Sequence, residues 1–401
     1  MFTNALIQAL PKTDLHVHLD GSLREETLIE LARDRGVTLP SETVEGLNEL
    51  VFKPSYASLP EYLQGFAYTC AVLQDAEALE RTAYELAWDN INEGVRYIEV
   101  RFAPQLHVHT GLRFDDVMMA VHQGLKRAED EHRASAAVTE QGEPCFRYGI
   151  IVCALRYFNE HFSPWYAQLC SLFEGSPADE VFSLASLELA RAAVYCRNHL
   201  GVPIVGFDLA GQEDGFPAQN HDRAYDYAHT NFLKKTVHAG EAYGPESIFQ
   251  AITDLHADRI GHGYHLFSTD LCGSSVKDPD AFVRRLARFI ADRRITIEVC
   301  ITSNLQTNPA ISRVEDHVFP RMLAEKLSAT LCTDNRLVSH TTVSREYRLA
   351  LDAFGMDAKQ LRNTIIYGFK RSFFPGPYQE KREYVRGIID YYDRVFAEHQ
   401  S

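Results

Sequence analysis

Short apolar runs rich in β-branched residues alternate with longer stretches of helical pattern along the whole chain. Strands separated by helical crossovers form a parallel sheet, and a closed (β/α)₈ barrel needs eight of them. The chain supplies eight such runs, at Lys12–Val17, Tyr97–Phe102, Gly149–Leu155, Ile204–Leu209, Lys235–Val237, Arg259–Ile260, Ile295–Val299 and Ala329–Thr333. We therefore predict an α/β fold of the (β/α)₈ TIM-barrel type, with extra helices and loop insertions.

The organisation of the chain favours one domain. Neither a Pro/Gly/Ser-rich linker nor a low-complexity tract nor an internal repeat divides it, so we predict a single barrel domain over residues 1–401. The stretch Glu77–Asn92 illustrates the amphipathic helical pattern between the strands. The polar stretch Glu129–Pro144 breaks the alternation before the third strand, and we interpret it as an insertion or loop.

Composition narrows the class of function. Hydrophobic residues make up 45% and charged residues 24% of the chain, which is typical of a globular protein. The net charge of −15 argues against nucleic-acid and anionic-membrane partners, because phosphate contacts need a positive surface. The amino terminus has no secretory signal pattern, and none of the 8 cysteines forms a C-x-x-C pair. We expect a soluble, cytoplasmic protein that acts on a small molecule, and 45.4 kDa allows a working monomer.

The strongest local signal is the segment Asp14-Leu-His16-Val-His18-Leu-Asp20-Gly21 in the first predicted strand. Side chains two apart in a strand point to the same face, so both imidazoles can reach one ion. This spacing alone does not decide the matter, because His107-Val-His109 repeats it. That second pair lies past the end of the second strand without an acidic companion, and we interpret it as structural.

Other polar side chains stand where barrel enzymes place their catalytic groups, at the carboxyl ends of strands. His238 and Glu241 follow the fifth predicted strand, His262 follows the sixth, and Asp334 follows the eighth. Three imidazoles and one carboxylate, those of His16, His18, His238 and Asp334, make a plausible Zn²⁺ ligand set. Glu241 and His262 remain as candidates for the proton-transferring groups, and the chemistry so assembled is metal-assisted hydrolysis. The residues alone do not name a substrate.

Six segments, taken in order, resemble the adenosine deaminase family of zinc barrel hydrolases. They are DLHVHLDGS (14–22), GFDLAGQE (206–213), HAGE (238–241), RIGHG (259–263), TSNLQT (302–307) and TDN (333–335). The resemblance implies one Zn²⁺ per chain on the ligand set just given. It also implies hydrolytic deamination of adenosine, and of 2′-deoxyadenosine, to the inosine product and ammonia.

The same resemblance assigns roles to individual residues. Glu241 would protonate N1 of the purine while hydroxide attacks C6, and His262 would orient the nucleophile and stabilise developing charge. Gly211 would offer its backbone N–H to the purine ring, and Asp20 would accept a hydrogen bond from a sugar hydroxyl. Asn335 departs from the family pattern, which has an aspartate there that bonds N7. An asparagine amide can still donate to N7.

The substrate has alternatives within this chemistry. Asp20 in the H-L-D-G segment resembles adenosine enzymes, whereas adenine enzymes tend to carry Glu there. Adenine, a modified adenine nucleoside or a nucleotide are the alternatives. A nucleotide would need cationic groups near the sugar end, for which the chain offers Arg24, Lys53, Arg101 and Arg156. Each of these has a structural alternative, and Glu99 and Asp208 are candidate partners for the two strand-terminal arginines.

Two further readings remain open. The aromatic residues in 52–68 fit core packing, or a lid that excludes water from a reacting ring. Other functions on the same scaffold are a nucleoside-binding barrel that has lost catalysis and a metal hydrolase of cyclic amides or phosphoesters. The full ligand set with Glu241 and His262 argues against the first. The second usually has a bridging lysine or glutamate near the end of the fourth strand, where the segment from Asp208 to Gly211 offers none.

Overall fold

Parallel strands, each hydrogen-bonded to the next in chain order, form the centre of the fold. The computed structural model describes residues 2–308, 310–311 and 313–399. Within these residues the strands are β1 Lys12–His18, β2 Val95–Phe102, β3 Arg147–Leu155, β4 Ile204–Ala210, β5 Lys234–Ala239, β6 Arg259–His262, β7 Thr296–Val299 and β8 Ser328–Leu331. The predicted (β/α)₈ barrel is confirmed, and each predicted run overlaps its strand.

Helices connect the strands and cover the outside of the barrel. In the described residues the α-helices are α1 Asn4–Ala9, α2 Glu25–Arg35, α3 Val44–Leu50, α4 Leu59–Leu63, α5 Phe66–Val72, α6 Ala76–Asn92, α7 Phe114–Ala134, α8 Ala136–Thr139, α9 Pro164–Leu172, α10 Ala178–Tyr195, α11 Asp222–Thr230, α12 Pro245–Thr253, α13 Pro279–Arg293, α14 Ile301–Thr307, α15 Phe319–Ala324, α16 Val343–Phe354, α17 Ala358–Arg371 and α18 Tyr378–Glu398. One continuous cluster of buried apolar side chains joins the barrel strands to these helices. No helix in the described part of the chain is both long and apolar enough to cross a membrane.

The segment at 129–144 differs from the loop that its polarity suggested. Residues 129–134 continue α7, and residues 136–139 form the short helix α8. Glu129 and His132 are buried although they are polar. Glu129 forms an ion pair with Arg147, with 3.0 Å between the carboxylate oxygen and Nε. The polar composition of this stretch therefore reflects ion pairing at the base of β3 as well as solvent exposure.

The barrel closes between its first strand and the residues that follow its last one. The backbone N–H of Asp334 donates to the carbonyl oxygen of His16 at 2.8 Å, and that of His18 donates to the carbonyl oxygen of Asp334 at 2.8 Å. Asp14 reinforces the closure, since it accepts the backbone N–H of Thr333 at 3.2 Å. We call this junction the closure seam. It brings three chemically significant side chains to one edge of the barrel.

A network of charges lies inside the barrel beneath that edge. Arg101 pairs with Asp208 and with Glu298, each at 2.8 Å, and all of these side chains are buried. Arg259 pairs with Glu298 at 2.6 Å and also binds Glu99. Asp208 is thus a partner of Arg101, as the sequence suggested, whereas Glu99 binds Arg259. Each carboxylate has an arginine partner, which is the condition for keeping buried charge in a fold.

We expect Arg259→Met to destabilise the fold strongly. The substitution leaves Glu99 and Glu298 without this partner inside the barrel, and breaking a buried ion pair on one side costs about 3–5 kcal/mol. The free energy of unfolding from denaturant titration measures the effect. The control is Arg288→Met, which removes a solvent-exposed pair with Asp292 and should leave stability nearly unchanged. Equal stability of the two variants would contradict the structural role of the network.

Candidate metal centre and adjoining pocket

Four predicted ligands meet at the carboxyl-terminal edge of the barrel. His16 and His18 end β1, His238 lies near the end of β5, and Asp334 belongs to the closure seam. The Nε2 atom of His238 lies 3.0 Å from Nε2 of His16 and 3.2 Å from Nε2 of His18. The Oδ1 atom of Asp334 lies 3.4 and 3.5 Å from the same two imidazole nitrogens. All four residues are buried.

The proton positions on these imidazoles indicate what the cluster can hold. The Nδ1 atom of His16 lies 2.9 Å from Glu298, and that of His238 lies 3.1 Å from Asp208. Because a carboxylate accepts, each Nδ1 carries the proton and each Nε2 presents a lone pair. Lone pairs and a carboxylate oxygen that converge in this way need a cation. Tetrahedral Zn²⁺ ligands about 2.0–2.1 Å from the ion would be about 3.4 Å apart, so the donor set fits a divalent metal.

Two carboxylates that orient the imidazoles carried weak signals in the sequence. Glu298 was not singled out, and Asp208 was considered only as a partner for arginine. The available signal for Glu298 is an acidic residue inside the apolar strand β7, where a charged side chain needs buried partners. Asp208 likewise is an acidic residue inside the apolar strand β4.

Backbone strain marks the same edge of the barrel. His262 and Asp334 are both non-glycine residues with φ of +62°, in the left-handed region that side chains with a Cβ disfavour. Such conformations persist where surrounding structure fixes them, and they concentrate at functional sites. The closure seam fixes Asp334, whose Oδ2 also accepts a hydrogen bond from the Ser303 hydroxyl at 2.7 Å. The strain aims both side chains at the centre.

Glu241 and His262 lie beside the four ligands. An oxygen of Glu241 is 3.7 Å from Nε2 of His262. Burial, followed by the negative charges of Asp334 and Glu213, holds the pKa of Glu241 well above its ordinary value. Its carboxyl group is therefore suited to carry a proton near neutral pH.

His262 has a defined orientation. The side-chain N–H of Asn304 donates to its Nδ1 at 3.1 Å, which leaves the proton of the neutral ring on Nε2. That Nε2 is buried and has no hydrogen-bond partner among the described residues. Burial, which is the largest effect, holds the pKa of His262 well below its ordinary value. His262 thus presents a neutral N–H donor toward the centre.

The loop that carries Glu241 is held by another carboxylate. Glu213 accepts hydrogen bonds from the backbone N–H groups of Gly240 (2.8 Å), Glu241 (3.0 Å), Ala242 (2.8 Å) and Tyr243 (3.0 Å), and from the hydroxyl of Ser247. Gly240 has φ of +69°, and a Cβ there would lie 2.6 Å from Ile248. Glu213 belongs to the segment 206–213, but no pattern in that segment assigned it a role. Four of its five contacts are with main-chain N–H groups, which leave no pattern in the sequence.

Three more predicted residues border the centre. The amide nitrogen of Asn335 donates to the Tyr62 hydroxyl at 2.8 Å, and its buried Oδ1 has no partner in the described structure. A Cβ on Gly21 would lie 1.9 Å from that oxygen, so glycine is required beside it. Gly211 directly follows β4 with φ of +93°. Asp20 is buried, and its Oδ1 also lacks a partner among the described residues.

A cavity of about 890 Å³ opens from this edge of the barrel. His18, Asp20 and Gly211 line it, whereas much of its remaining wall is apolar. The apolar wall includes Leu63, Phe66, Leu106, Leu155, Tyr157 and Phe162. Of the aromatic residues in 52–68, Phe52, Tyr56 and Tyr62 are buried in the core and Phe66 reaches the cavity. The segment therefore serves mainly packing, with one ring at the cavity wall.

The four cationic candidates are engaged elsewhere and are absent from the cavity lining in the described structure. Arg24 pairs with Asp89 at 2.6 Å, and Lys53 pairs with Glu61 at 3.0 Å. Arg156 donates to the carbonyl oxygens of Phe216 at 2.8 Å and of His238 at 2.6 Å. These residues, and the buried Arg101 described above, form ion pairs and backbone hydrogen bonds that support the fold.

The second H-x-H pair lies outside the four-ligand centre, and one ring nitrogen of each histidine contacts a backbone carbonyl. Nδ1 of His107 lies 2.9 Å from the carbonyl oxygen of Leu73, and Nε2 of His109 lies 3.0 Å from that of Gln74. Neither belongs to the four-ligand cluster. The equal spacing of the two pairs was therefore uninformative without their positions in the barrel.

Comparison with known proteins gives a family and related sequences. The family model described as adenosine deaminase matches residues 11–173 and 180–391. An adenosine deaminase of Mycobacterium avium (strain 104) is 36% identical to the chain over 372 residues, which are 92% of this chain and 92% of that protein.

Solved structures share the fold. An N6-mAMP deaminase from Arabidopsis superposes with a TM-score of 0.72 at 27% sequence identity, covering 96% of this chain and 99% of that one. A COG1816 amidohydrolase from Burkholderia ambifaria, solved with bound Zn, superposes with a TM-score of 0.76 at 19% identity. That match covers 99% of this chain and 95% of that one.

Proposed function

Since the chain belongs to the adenosine deaminase family, we propose that this hydrolytic deaminase converts adenosine, and with it 2′-deoxyadenosine, to the inosine product and ammonia. The observation that carries the proposal is the convergence of His16, His18, His238 and Asp334 beside the buried carboxyl of Glu241, whose pKa is raised by burial and by the neighbouring carboxylates. A metal centre with an adjacent proton donor is what attack of water on an aromatic ring carbon needs.

The proposed cofactor is one Zn²⁺ on these four ligands. The converging lone pairs and the spacings of 3.0 to 3.5 Å between ligand atoms support a divalent ion of that size. When bound, such an ion lowers the pKa of a coordinated water to about 7, which supplies a nucleophile at neutral pH. Glu298 and Asp208 keep the imidazoles oriented whether or not the ion is present.

We assign proton donation to Glu241, and orientation of the water and stabilisation of charge to His262. In the proposed reaction the Glu241 carboxyl donates its proton to N1 of the purine as the water oxygen bonds to C6, and the π-electron pair between C6 and N1 moves to N1. Of the two protons that the water gives up, one leaves on ammonia as the C6–N6 bond breaks, and the other restores the Glu241 carboxyl. The Nε2–H of His262 points into the centre and is positioned to orient that water and to bind the negative charge that develops.

The remaining predicted residues fit the nucleoside. The unpartnered Oδ1 of Asp20 can accept a sugar hydroxyl, since it lines the cavity without another donor. Gly211 lies on the same wall, where its backbone N–H can reach the purine ring. Asn335 can use the amide hydrogen that does not bind Tyr62 to donate to N7.

The charges around the cavity favour a nucleoside over a nucleotide. Recognition of a 5′-phosphate relies on arginine or lysine, and in the described structure neither lines the cavity. The lining includes the exposed carboxylate of Glu160, whose negative charge opposes a phosphate. The Arabidopsis relative deaminates N6-mAMP, so a nucleotide stays the alternative to be tested.

An ultraviolet assay on the purified zinc-loaded chain tests the proposal. Adenosine, 2′-deoxyadenosine, adenine, AMP and N6-mAMP are compared by kcat/KM. We expect both nucleosides to be turned over well ahead of the other three compounds, and a chelator to abolish the reaction. Preference for AMP or N6-mAMP would refute the nucleoside assignment. Failure of all five compounds with metal bound would refute adenosine deamination itself.

Glu213→Gln is expected to lower kcat while leaving the metal in place. In the wild-type chain, backbone N–H groups of this loop donate to the Glu213 carboxylate. In the variant, the NH₂ group of the glutamine side chain faces some of these N–H donors, so the loop that carries Glu241 shifts. Misplacing a catalytic group by about 1 Å costs about 10²-fold in rate. Turnover kinetics and metal analysis check the result, with Glu246→Gln on the neighbouring helix as control. Normal kcat would show that Glu213 does not position the loop.

Asn335→Asp is expected to keep or improve activity on adenosine. The carboxylate can accept the hydroxyl hydrogen of Tyr62, so the contact now made by the amide is retained. It also restores the residue that is usual in the family at this position. Steady-state kinetics on adenosine measure the effect. Complete loss of activity in a folded, metal-loaded variant would mean that Asn335 serves a different substrate or an essential structural bond.

We also infer a cytoplasmic location. All 8 cysteines are free thiols in the structure, and several are buried in the barrel. Free thiols persist in a reducing compartment, which agrees with the expectation from sequence.

A further inference from the structure

A second cluster of potential ligands lies at the cavity wall, apart from the four-ligand centre. One ligand atom each from Asp20, Cys70 and His107 lie within 4.8 Å of one another. Asp20 and His107 are 3% and 0% exposed, and Cys70 is partly buried. Asp20 and Cys70 line the cavity. These side chains come from the end of β1, from α5 and from the loop after β2, so only the folded barrel unites them.

His107 presents a free lone pair to this cluster. Its Nδ1–H donates to the carbonyl oxygen of Leu73 at 2.9 Å, which leaves Nε2 without a proton in the neutral ring. Burial lowers the pKa of His107 to about 4, so the ring is neutral at pH 7. The Nε2 atom is buried and has no hydrogen-bond partner in the described residues. A ring nitrogen fixed in this way is typical of a metal-ligating histidine.

Asp20 also has a hydrogen-bond acceptor without a donor. Its Oδ1 is buried and has no hydrogen-bond partner in the same described residues. The Asp20 carboxylate and the His107 ring thus each have an unpartnered acceptor and share a small space with the Cys70 sulfur. Each acceptor lacks a donor, and a single cation would satisfy both. Tetrahedral Zn²⁺ ligands at about 2.0–2.3 Å from the ion are separated by about 3.4–3.7 Å, so these ligand atoms, which lie within 4.8 Å of one another, would move closer together around an ion.

We propose that Asp20, Cys70 and His107 form a second site for a borderline-soft divalent ion such as Zn²⁺, and that the ion bound there blocks nucleoside binding. The mixed sulfur, nitrogen and oxygen donors suit Zn²⁺ and disfavour Mg²⁺ or Ca²⁺. Binding releases the thiol proton of Cys70 to solvent, because the thiolate is the ligand.

Inhibition follows because Asp20 belongs both to the second metal site and to the nucleoside site. This part of the inference rests on the proposed function, in which Asp20 accepts a sugar hydroxyl. An ion that takes the Oδ1 lone pair of Asp20 removes that acceptor, and the ion also occupies space beside it. Excess metal should therefore compete with the nucleoside, while the four-ligand centre remains loaded.

Metal binding is measured first, without any activity. The metal-free full chain is titrated with Co²⁺, and the bound equivalents and the near-ultraviolet thiolate-to-cobalt absorption are recorded. We expect two equivalents, with the thiolate band accompanying one of them, since the His₃Asp centre has no sulfur ligand. Cys70→Ser should remove the band and one equivalent. The matched control Cys170→Ser, a partly buried cysteine on α9, should keep both.

A second pair of variants keeps the second site testable if Cys70→Ser fails to fold. His107→Gln should weaken the second equivalent by at least about tenfold, as expected for loss of a ligand. His109→Gln, which removes a similar backbone contact from the same loop, should not weaken it. One equivalent and no thiolate band in the wild-type chain would overturn the second site.

Inhibition is measured next. Zn²⁺ added to the loaded enzyme should inhibit competitively against adenosine, and Cys70→Ser should raise the inhibition constant by at least about tenfold. Cys170→Ser should leave this constant unchanged. Inhibition that is equal in Cys70→Ser and wild type would overturn the inhibitory role. An inactive chain that binds two equivalents would refute the proposed function and support the second site, so the two failures are distinguishable.

Discussion

Glu241→Gln is expected to cut kcat on adenosine by about 10²–10⁴-fold while the chain keeps its metal. Burial, followed by the negative charges of Asp334 and Glu213, raises the pKa of the Glu241 carboxyl and so favours its protonated form. A glutamine fills the same space and can still donate a hydrogen bond. It cannot transfer a proton to N1, so C6 is not made electrophilic. The KM for adenosine should change much less than kcat.

The measurement combines stopped or continuous ultraviolet kinetics with metal analysis of the same sample. Glu246→Gln is a suitable control, because Glu246 lies at the start of α12 and bonds the backbone of Gly273. It should behave as wild type. Near-normal kcat for Glu241→Gln would remove the assigned role, whereas loss of both metal and activity would mean that Glu241 acts on the structure of the centre.

Removing the metal should abolish turnover and lower the stability of the chain. Without an ion, the lone pairs of His16 and His238 face each other at 3.0 Å beside the Asp334 carboxylate. These electron pairs repel one another, and a bound cation removes the repulsion because each pair then coordinates the ion. A ligand present at 1,000 times its dissociation constant stabilises the fold by about 4 kcal/mol. Readdition of Zn²⁺ should restore both activity and the unfolding temperature.

Chelation followed by calorimetry and kinetics provides the test. Asp334→Asn supplies the matched variant, because the amide keeps the size of the side chain but not its charge. We expect this variant to show little stabilisation by Zn²⁺. Full activity of the chelated wild-type chain, with metal analysis showing none bound, would contradict metal-assisted hydrolysis on these ligands.

The strands and the convergence of the proposed ligands were predictable because both depend on local pattern. Apolar runs identified each strand, and polar residues at the carboxyl ends of strands identified His16, His238 and Asp334. The fifth and sixth predicted strands were too short because His238 and His262, which lie in or at the end of β5 and β6, interrupt the apolar pattern before the last strand residues.

The supporting residues were less predictable because their partners are remote in sequence. Glu298 binds His16 across the barrel, and Glu213 binds backbone groups of a loop that follows the next strand. Neither contact leaves a periodicity or a short spacing. Tyr62 lies in a segment read as core or lid, yet its hydroxyl accepts from Asn335. Such contacts become visible only when the strands are arranged in space.

The closure seam also has a consequence for the timing of synthesis. The imidazoles of His16 and His18 leave the ribosome early, whereas Asp334 emerges roughly 300 residues later, after about 15 to 60 seconds at ordinary elongation rates. Until then the first strand has no partner on one side, and the set of four ligands is incomplete. A chain truncated before Asp334 lacks one of the four proposed ligands. In the proposed centre, coordination by all four ligands therefore requires that residue 334 has been synthesised and that the two ends of the barrel have joined.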